Sequence, residues 1–160
     1  MNRNAMKGLL NSMSKDDLVD LVFIDPISGI PNRNAYNMRS GKSVAIIDMD
    51  SLKWINDNLG HIAGDQQLRI LGKLLSDNFG EDAYHLSGDE FAVVGHHPHP
   101  LRETLSSLQS QMNFFSFGVG ETLTAADKNM QSDKIAREVA GTRAPRGEAP
   151  PMKEQLAKQN

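Results

Sequence analysis

The chain has 160 residues, 17 Lys+Arg against 20 Asp+Glu for a net charge of −3, and no cysteine. That length suits one domain with its own core, and the lack of cysteine excludes a disulfide framework, a thiolate metal site and a cysteine nucleophile. The slightly acidic balance, with a pI near 5.9, argues against a general electrostatic grip on nucleic acid or on an anionic membrane.

Residues 1–13 are polar and small and are expected to form a flexible lead-in. Ser14-Lys15-Asp16-Asp17 places a carboxylate three residues after a hydroxyl, a helix-opening signature. The helix carries Leu18, Leu21 and Val22 at helical spacing and should end before Asp25-Pro26. Ser28–Asn32 is turn chemistry, and Asn34–Arg39 suits a short helix. Val44–Asp50 is the clearest strand, an apolar run ending in two acids. A short helix is expected over about 52–59, stopped by Gly60, and a longer one over Asp65–Asn78 with Leu68, Leu71 and Leu75 on one stripe.

Tyr84–Leu86 and Phe91–Val94 flank Ser87-Gly88-Asp89-Glu90 and predict a β-hairpin. His96–Pro100 reads as a polar loop rather than a metal site, followed by a helix over Leu101–Met112, a strand over Phe114–Val119 and a helix over Ala125–Ala140. Beyond Gly141 the prolines and glycines predict a mobile tail, 141–160, with a transient helix over Lys153–Gln159. A mean hydropathy of −0.44 is consistent with such a solvated segment. The expected architecture is an α+β sandwich, compact over 14–140. No apolar run is long enough to cross a bilayer and Met1–Asn4 opens no secretory signal, so the expected location is the cytoplasm.

Three acidic clusters stand at element ends: Asp48/Asp50 after a strand, Asp65 at a helix start, and Asp89/Glu90 in a hairpin turn. Asp48 and Asp50 share one face of their strand, because side chains alternate with period two. If the hairpin lies beside that strand, Asp89 approaches Asp48. Carboxylates converging without a basic partner repel each other unless a divalent cation sits between them, and magnesium suits one or two carboxylates plus a substrate phosphate. A lone Asp at such positions is more often a turn or cap residue. Three clusters together are harder to explain that way.

These segments resemble a known family. Asp25-Pro26-Ile27-Ser28-Gly29-Ile30-Pro31-Asn32-Arg33 is similar to the D-x-L-T-G-L-P-N-R opening of GGDEF domains, the diguanylate cyclases. Asp48-Met49-Asp50-Ser51-Leu52-Lys53-Trp54-Ile55-Asn56-Asp57, with Gly60-His61 and Gly64-Asp65, resembles their D-x-D-x-F-K-x-I-N-D block. Ser87-Gly88-Asp89-Glu90-Phe91 is similar to the signature with its first glycine replaced, and Ser116–Gly120 and Ala126–Lys134 resemble two later motifs.

The resemblance implies a palm-like sheet, ferredoxin-like or nucleotidyl cyclase in type, flanked by helices and binding GTP. Asp48 and Asp89 would ligate Mg2+ (or Mn2+) with the Met49 carbonyl, and Glu90 would lie near the metal or the attacking hydroxyl. Asn56 and Asp65 would read guanine, Lys53 and Lys134 would meet phosphates, and Ser87 and Gly88 would bring backbone close to the nucleotide. The implied reaction joins two GTP into cyclic di-GMP with release of pyrophosphate, in a homodimer of half-sites. The other reading is a degenerate module that binds GTP, cyclic di-GMP or a macromolecule without turnover.

Several positions depart from the family pattern: Ser87 in the signature, His85 where Arg is frequent, Gln131 for Tyr, and Glu138 where a phosphate-binding Arg is usual, with Arg137 one position out of register. An inhibitory R-x-x-D site, frequent in the family, falls on Asn78-Phe79-Gly80-Glu81.

Overall fold

Val44, Ile46 and Asp48 alternate with Ala45, Ile47 and Met49 along one strand, and this alternation organises the molecule. The computed structural model describes residues 1–39 and 41–151. Strand β1 (Ser43–Met49) is buried along its whole length because helices cover both faces of its sheet. It pairs antiparallel with β3 (Glu90–Gly95) and β4 (Phe115–Gly120), and β2 (Ala83–Ser87) pairs antiparallel with β3. The order β2-β3-β1-β4 is that of the palm-like α+β sheet expected from the sequence.

On one face, Ala45, Ile47 and Met49 pack with Phe91 and Val93 against Leu68, Leu71 and Leu75 of α5 (His61–Phe79) and Leu101, Leu105 and Leu108 of α6 (Pro98–Met112). On the other, Val44 and Ile46 pack with Tyr84, Leu86 and Ala92 against Ala126 and Met130 of α7 (Leu123–Val139) and Tyr36 of α3 (Arg33–Asn37). Gly118 permits that second contact. A Cβ there would lie 2.0 Å from the Met130 nitrogen and 2.2 Å from the Ala126 oxygen, so α7 could not sit as close over any other residue.

The remaining elements follow local rules. Helix α2 (Lys15–Phe23) opens with the Ser14/Asp17 capping box. Gly60, at φ +87°, ends α4 (Leu52–Leu59) and starts α5 at once. Asp65 therefore lies inside α5, not at its start. Helix α6 begins at Pro98, inside the expected His96–Pro100 loop, because a proline in the first turn lacks only an N–H that a helix start leaves unpaired.

Two expectations need correction. The segment read as a flexible lead-in forms helix α1 (Arg3–Ser12), capped by the Asn2 side chain, although it buries no residue. Residues 142–144 lie against the domain rather than free of it: Ala144 is buried, and Arg143 Nε donates to Asp50 Oδ1 at 2.8 Å. The helix expected over Lys153–Gln159 lies outside the described residues. Among the described residues, no helix is long and apolar enough to cross a membrane.

Candidate active site

The alternation of β1 turns Asp48 toward α7, and Asp50 follows two residues later on the same side. Lys134 and Arg137, one turn apart on α7, meet them. Lys134 Nζ lies 2.9 Å from Asp48 Oδ1. Arg137 donates to Asp50 Oδ2, to the Phe115 carbonyl and to Ser116 Oγ, each at 2.7 Å. Arg143 completes the cage around Asp50 and also pairs with Glu138. Asp48 and Asp50 therefore both have basic partners. Their partners come from α7 and the segment just after it, far along the chain, so the pairing itself is tertiary.

The hairpin does lie beside β1. Asp48 stands opposite Glu90 in the register, and the Met49 N–H donates to the Asp89 carbonyl at 2.8 Å. Burial pushes the Asp48 carboxyl above its ordinary value, and the like charges of Asp89 and Asp50 add to the rise against the opposing pull of Lys134. Met49 buries its side chain in the core, which leaves its main-chain carbonyl as the group able to serve here. Ser51, next in the chain, adopts φ +60°, and its buried Oγ has no hydrogen-bond partner among the described residues. The Asp48 and Asp89 carboxylates and the Met49 carbonyl are oxygen donors of the kind a hard divalent cation such as Mg2+ or Mn2+ takes. Among the described residues no cluster of three or more His, Asp or Glu is poised for a metal, so such an ion would rely on the two carboxylates and on ligand oxygens.

The other candidates take separate places. Ser87 and Gly88 are exposed at the hairpin turn, with Gly88 at φ +51° and open space where a side chain would stand. It is thus the backbone conformation, not crowding within the chain, that calls for glycine there. Half-buried Glu90 lies 3.8 Å from Arg33. Lys53 is exposed and pairs with Asp57 of its own helix at 2.9 Å. Asn56 on α4 reaches across to the start of α5, where its Oδ1 would be 1.9 Å from a Cβ on Gly64, the residue before Asp65. Asn56 and Asp65 are both half-buried, on neighbouring helices.

Two features were missed from sequence. The Arg137–Asp50–Arg143 cage has a signal only in hindsight, in the one-turn spacing of Lys134 and Arg137. The second centres on His85, which is buried and stacks on Phe91 with ring centroids 4.3 Å apart and planes 5° apart. It touches Asp25 and Gly88, both inside recognisable motifs, but the contact between them is tertiary.

The sequence matches the family model described as "Diguanylate cyclase, GGDEF domain" over residues 22–124. The chain belongs to the GGDEF family. Diguanylate cyclase DgcS of Shewanella oneidensis is 26% identical over 151 aligned positions, covering 81% of this chain and 51% of that protein. Diguanylate cyclase VdcA of Vibrio cholerae is 35% identical over 104, covering 59% of this chain and 29% of the relative. The chain thus spans about half the length, or less, of these two curated relatives. The GGDEF domain of DgcB from Caulobacter crescentus, solved in complex with c-di-GMP, superposes with a TM-score of 0.60 at 18% identity, covering 79% of this chain and 96% of that one. A microbial GGDEF domain solved for its interaction with cyclic di-GMP gives a TM-score of 0.62 at 24% identity, covering 75% and 95%. These likenesses concern the GGDEF fold.

Proposed function

We propose that this GGDEF domain is a diguanylate cyclase, condensing two GTP into cyclic di-GMP with release of pyrophosphate, each GTP held by one of two copies of the chain in the cytoplasm. The observation that carries the reading is the convergence of Asp48 and the Asp89 turn at one end of adjacent strands, with Lys134 on Asp48. In this reading Asp48, Asp89 and the Met49 carbonyl hold the metal. When bound, the metal lowers the pKa of the attacking 3′-hydroxyl and neutralises charge on the departing pyrophosphate. Glu90 stands beside that hydroxyl, and Ser87 and Gly88 present backbone to the nucleotide. Lys53 and Lys134 meet phosphates, Lys134 by exchanging a carboxylate for a phosphate oxygen. Asn56 and Asp65 select guanine by hydrogen bonding.

A second reading, a module that binds nucleotide without turnover, is favoured by one arrangement on α7. Glu138 stands where a second cation is usual, and Arg137 is committed to Asp50. Incubating the purified chain with GTP and Mg2+ and assaying cyclic di-GMP decides between them. Product supports the cyclase, GTP binding without product supports the module, and absence of both overturns the nucleotide site.

A further inference from the structure

The His85 ring sits 4% exposed between two motifs far apart in sequence. Its Nδ1 lies 2.9 Å from Asp25 Oδ1 and 3.1 Å from Ser28 Oγ. Its Nε2 lies 2.9 Å from the carbonyl oxygen of Gly88, at the signature turn. The Ser28 hydroxyl already donates to Asp25 Oδ1, at 2.9 Å. Every atom facing the two ring nitrogens is therefore an acceptor. A neutral imidazole has one N–H and must turn a lone pair on either a carboxylate or a carbonyl. The doubly protonated ring satisfies both sides, and Asp25 supplies its counter-charge.

We propose that His85, in its protonated form, is a positioning residue that ties the signature turn to Asp25. Loss of the Nε2 proton, with Nδ1–H kept on the Asp25 carboxylate, would release the Gly88 carbonyl and loosen the turn. Gly88 adopts φ +51°, and its carbonyl oxygen faces the His85 ring at 2.9 Å. The main chain of the next residue is what meets β1, through the Asp89 carbonyl and the Met49 N–H. A histidine at this place makes the hold titratable, whereas an arginine would make it permanent. Among the groups on the surrounding elements, Asp25 touches the ring. Arg33 on α3 and Glu90 on β3 lie 3.8 Å from each other, and on α5 Arg69 is exposed while Lys73 pairs with Asp77. The effect on the site rests on the cyclase reading, but the state of the ring does not.

Nitrogen-15 NMR of the whole chain between pH 5 and 8 tests the ring directly. The expected result is a His85 ring protonated on both nitrogens at the acid end, with the Gly88, Asp89 and Glu90 amide resonances shifting along the same titration curve. His85→Arg is expected to flatten that amide titration, and to remove the matching fall in Mg2+-GTP affinity as pH rises. His85→Gln, with a single donor arm and no charge, should show the loosened turn at every pH. A single neutral tautomer throughout the range would overturn the proposal, as would turn amides that ignore the His85 titration. If the ring and turn titrate together and GTP does not bind at any pH, the positioning role stands and the cyclase reading falls.

Discussion

Lys134 and Asp48 form an ion pair at 2.9 Å across the contact of α7 with β1, their side chains 17% and 11% exposed. This pair neutralises the carboxylate at the heart of the candidate site. The folded pKa of Asp48 is raised above 3.8, so the fold binds this proton more tightly than the unfolded chain does. Its stability contribution is present at low pH and is lost as pH rises through the raised value.

Asp48→Asn therefore removes a charge that burial disfavours, while Lys134 retains a path to solvent. We expect turnover of GTP to fall by about 10²–10³-fold, the scale on which electrostatic groups act in such sites. The melting temperature should change by only a few degrees. Product chromatography and a thermal melt check the two arms, and turnover near the wild-type rate would sink the assignment.

Arg137 behaves differently because it is buried. It donates to Asp50, Phe115, Ser116 and Asn113 at once, joining α7 to β4 and to the end of β1. Arg137→Met should cost about 3–5 kcal/mol, the usual penalty for leaving a buried charge without a partner, or on the order of 10 °C in melting temperature. Arg143 still faces Asp50, which favours the lower end. Urea unfolding measures it, and a loss below about 1 kcal/mol would show that the cage is not structural.

Asp25 carries an acid-dependent contribution. Burial alone would raise its pKa, but hydrogen bonds from the Ser28 backbone and hydroxyl and from the His85 ring outweigh it and hold the group below 3.8. A depressed acid stabilises the fold above its unfolded pKa, and that stability disappears as pH falls from 3.8 through the folded value. Asp25→Asn should cost about 1.5–3 kcal/mol at pH 6, the scale of charged hydrogen bonds, and progressively less below pH 4. Denaturation curves at several pH values between 2 and 6 test this. A penalty independent of pH would contradict it.

Gly64 offers a test of the proposed base selection. A Cβ there would meet Asn56 Oδ1 at 1.9 Å and Leu52 Cδ1 at 3.2 Å, so Gly64→Ala must push the Asn56 side chain aside. Alanine is also the better helix former, by up to about 1 kcal/mol. We expect GTP affinity to drop roughly tenfold, with the preference over ATP reduced and stability little changed, because a site built on hydrogen bonds loses discrimination when one partner moves. Asp65→Ala should narrow the same gap. Calorimetry with both nucleotides reads it, and unaltered GTP binding in Gly64→Ala would remove Asn56 from the site.

Product feedback at the Asn78–Glu81 surface is expected to be absent. Asn78 spends its side-chain amide on the Leu74 carbonyl, Gly80 turns the chain at φ +59°, and no arginine fork stands among these four residues. Titrating cyclic di-GMP into the chain without GTP tests this. Binding that is lost in Asn78→Ala or Glu81→Ala would refute it.

The sequence alone carried the fold. The Ser14 cap, the apolar run of β1, the Leu68/Leu71/Leu75 stripe and the Gly-Asp hairpin are signals written within one or two turns of chain, where local geometry decides the outcome. Motif order placed them in a palm-like sheet. Gly60 and Pro98 shifted two helix starts by a few residues, since a cap and a first turn tolerate neighbours that a stripe does not reveal. The partners of the charged groups were a different matter. Lys134 on Asp48, Arg137 and Arg143 on Asp50, and His85 between Asp25 and Gly88 depend on which faces the sheet turns toward α7 and toward the Asp25–Asn32 turn. Those faces follow from the pairing of β1 with β3 and β4, a long-range event. Spacing along the chain fixes which side chains share a face; only the packed sheet fixes what that face meets.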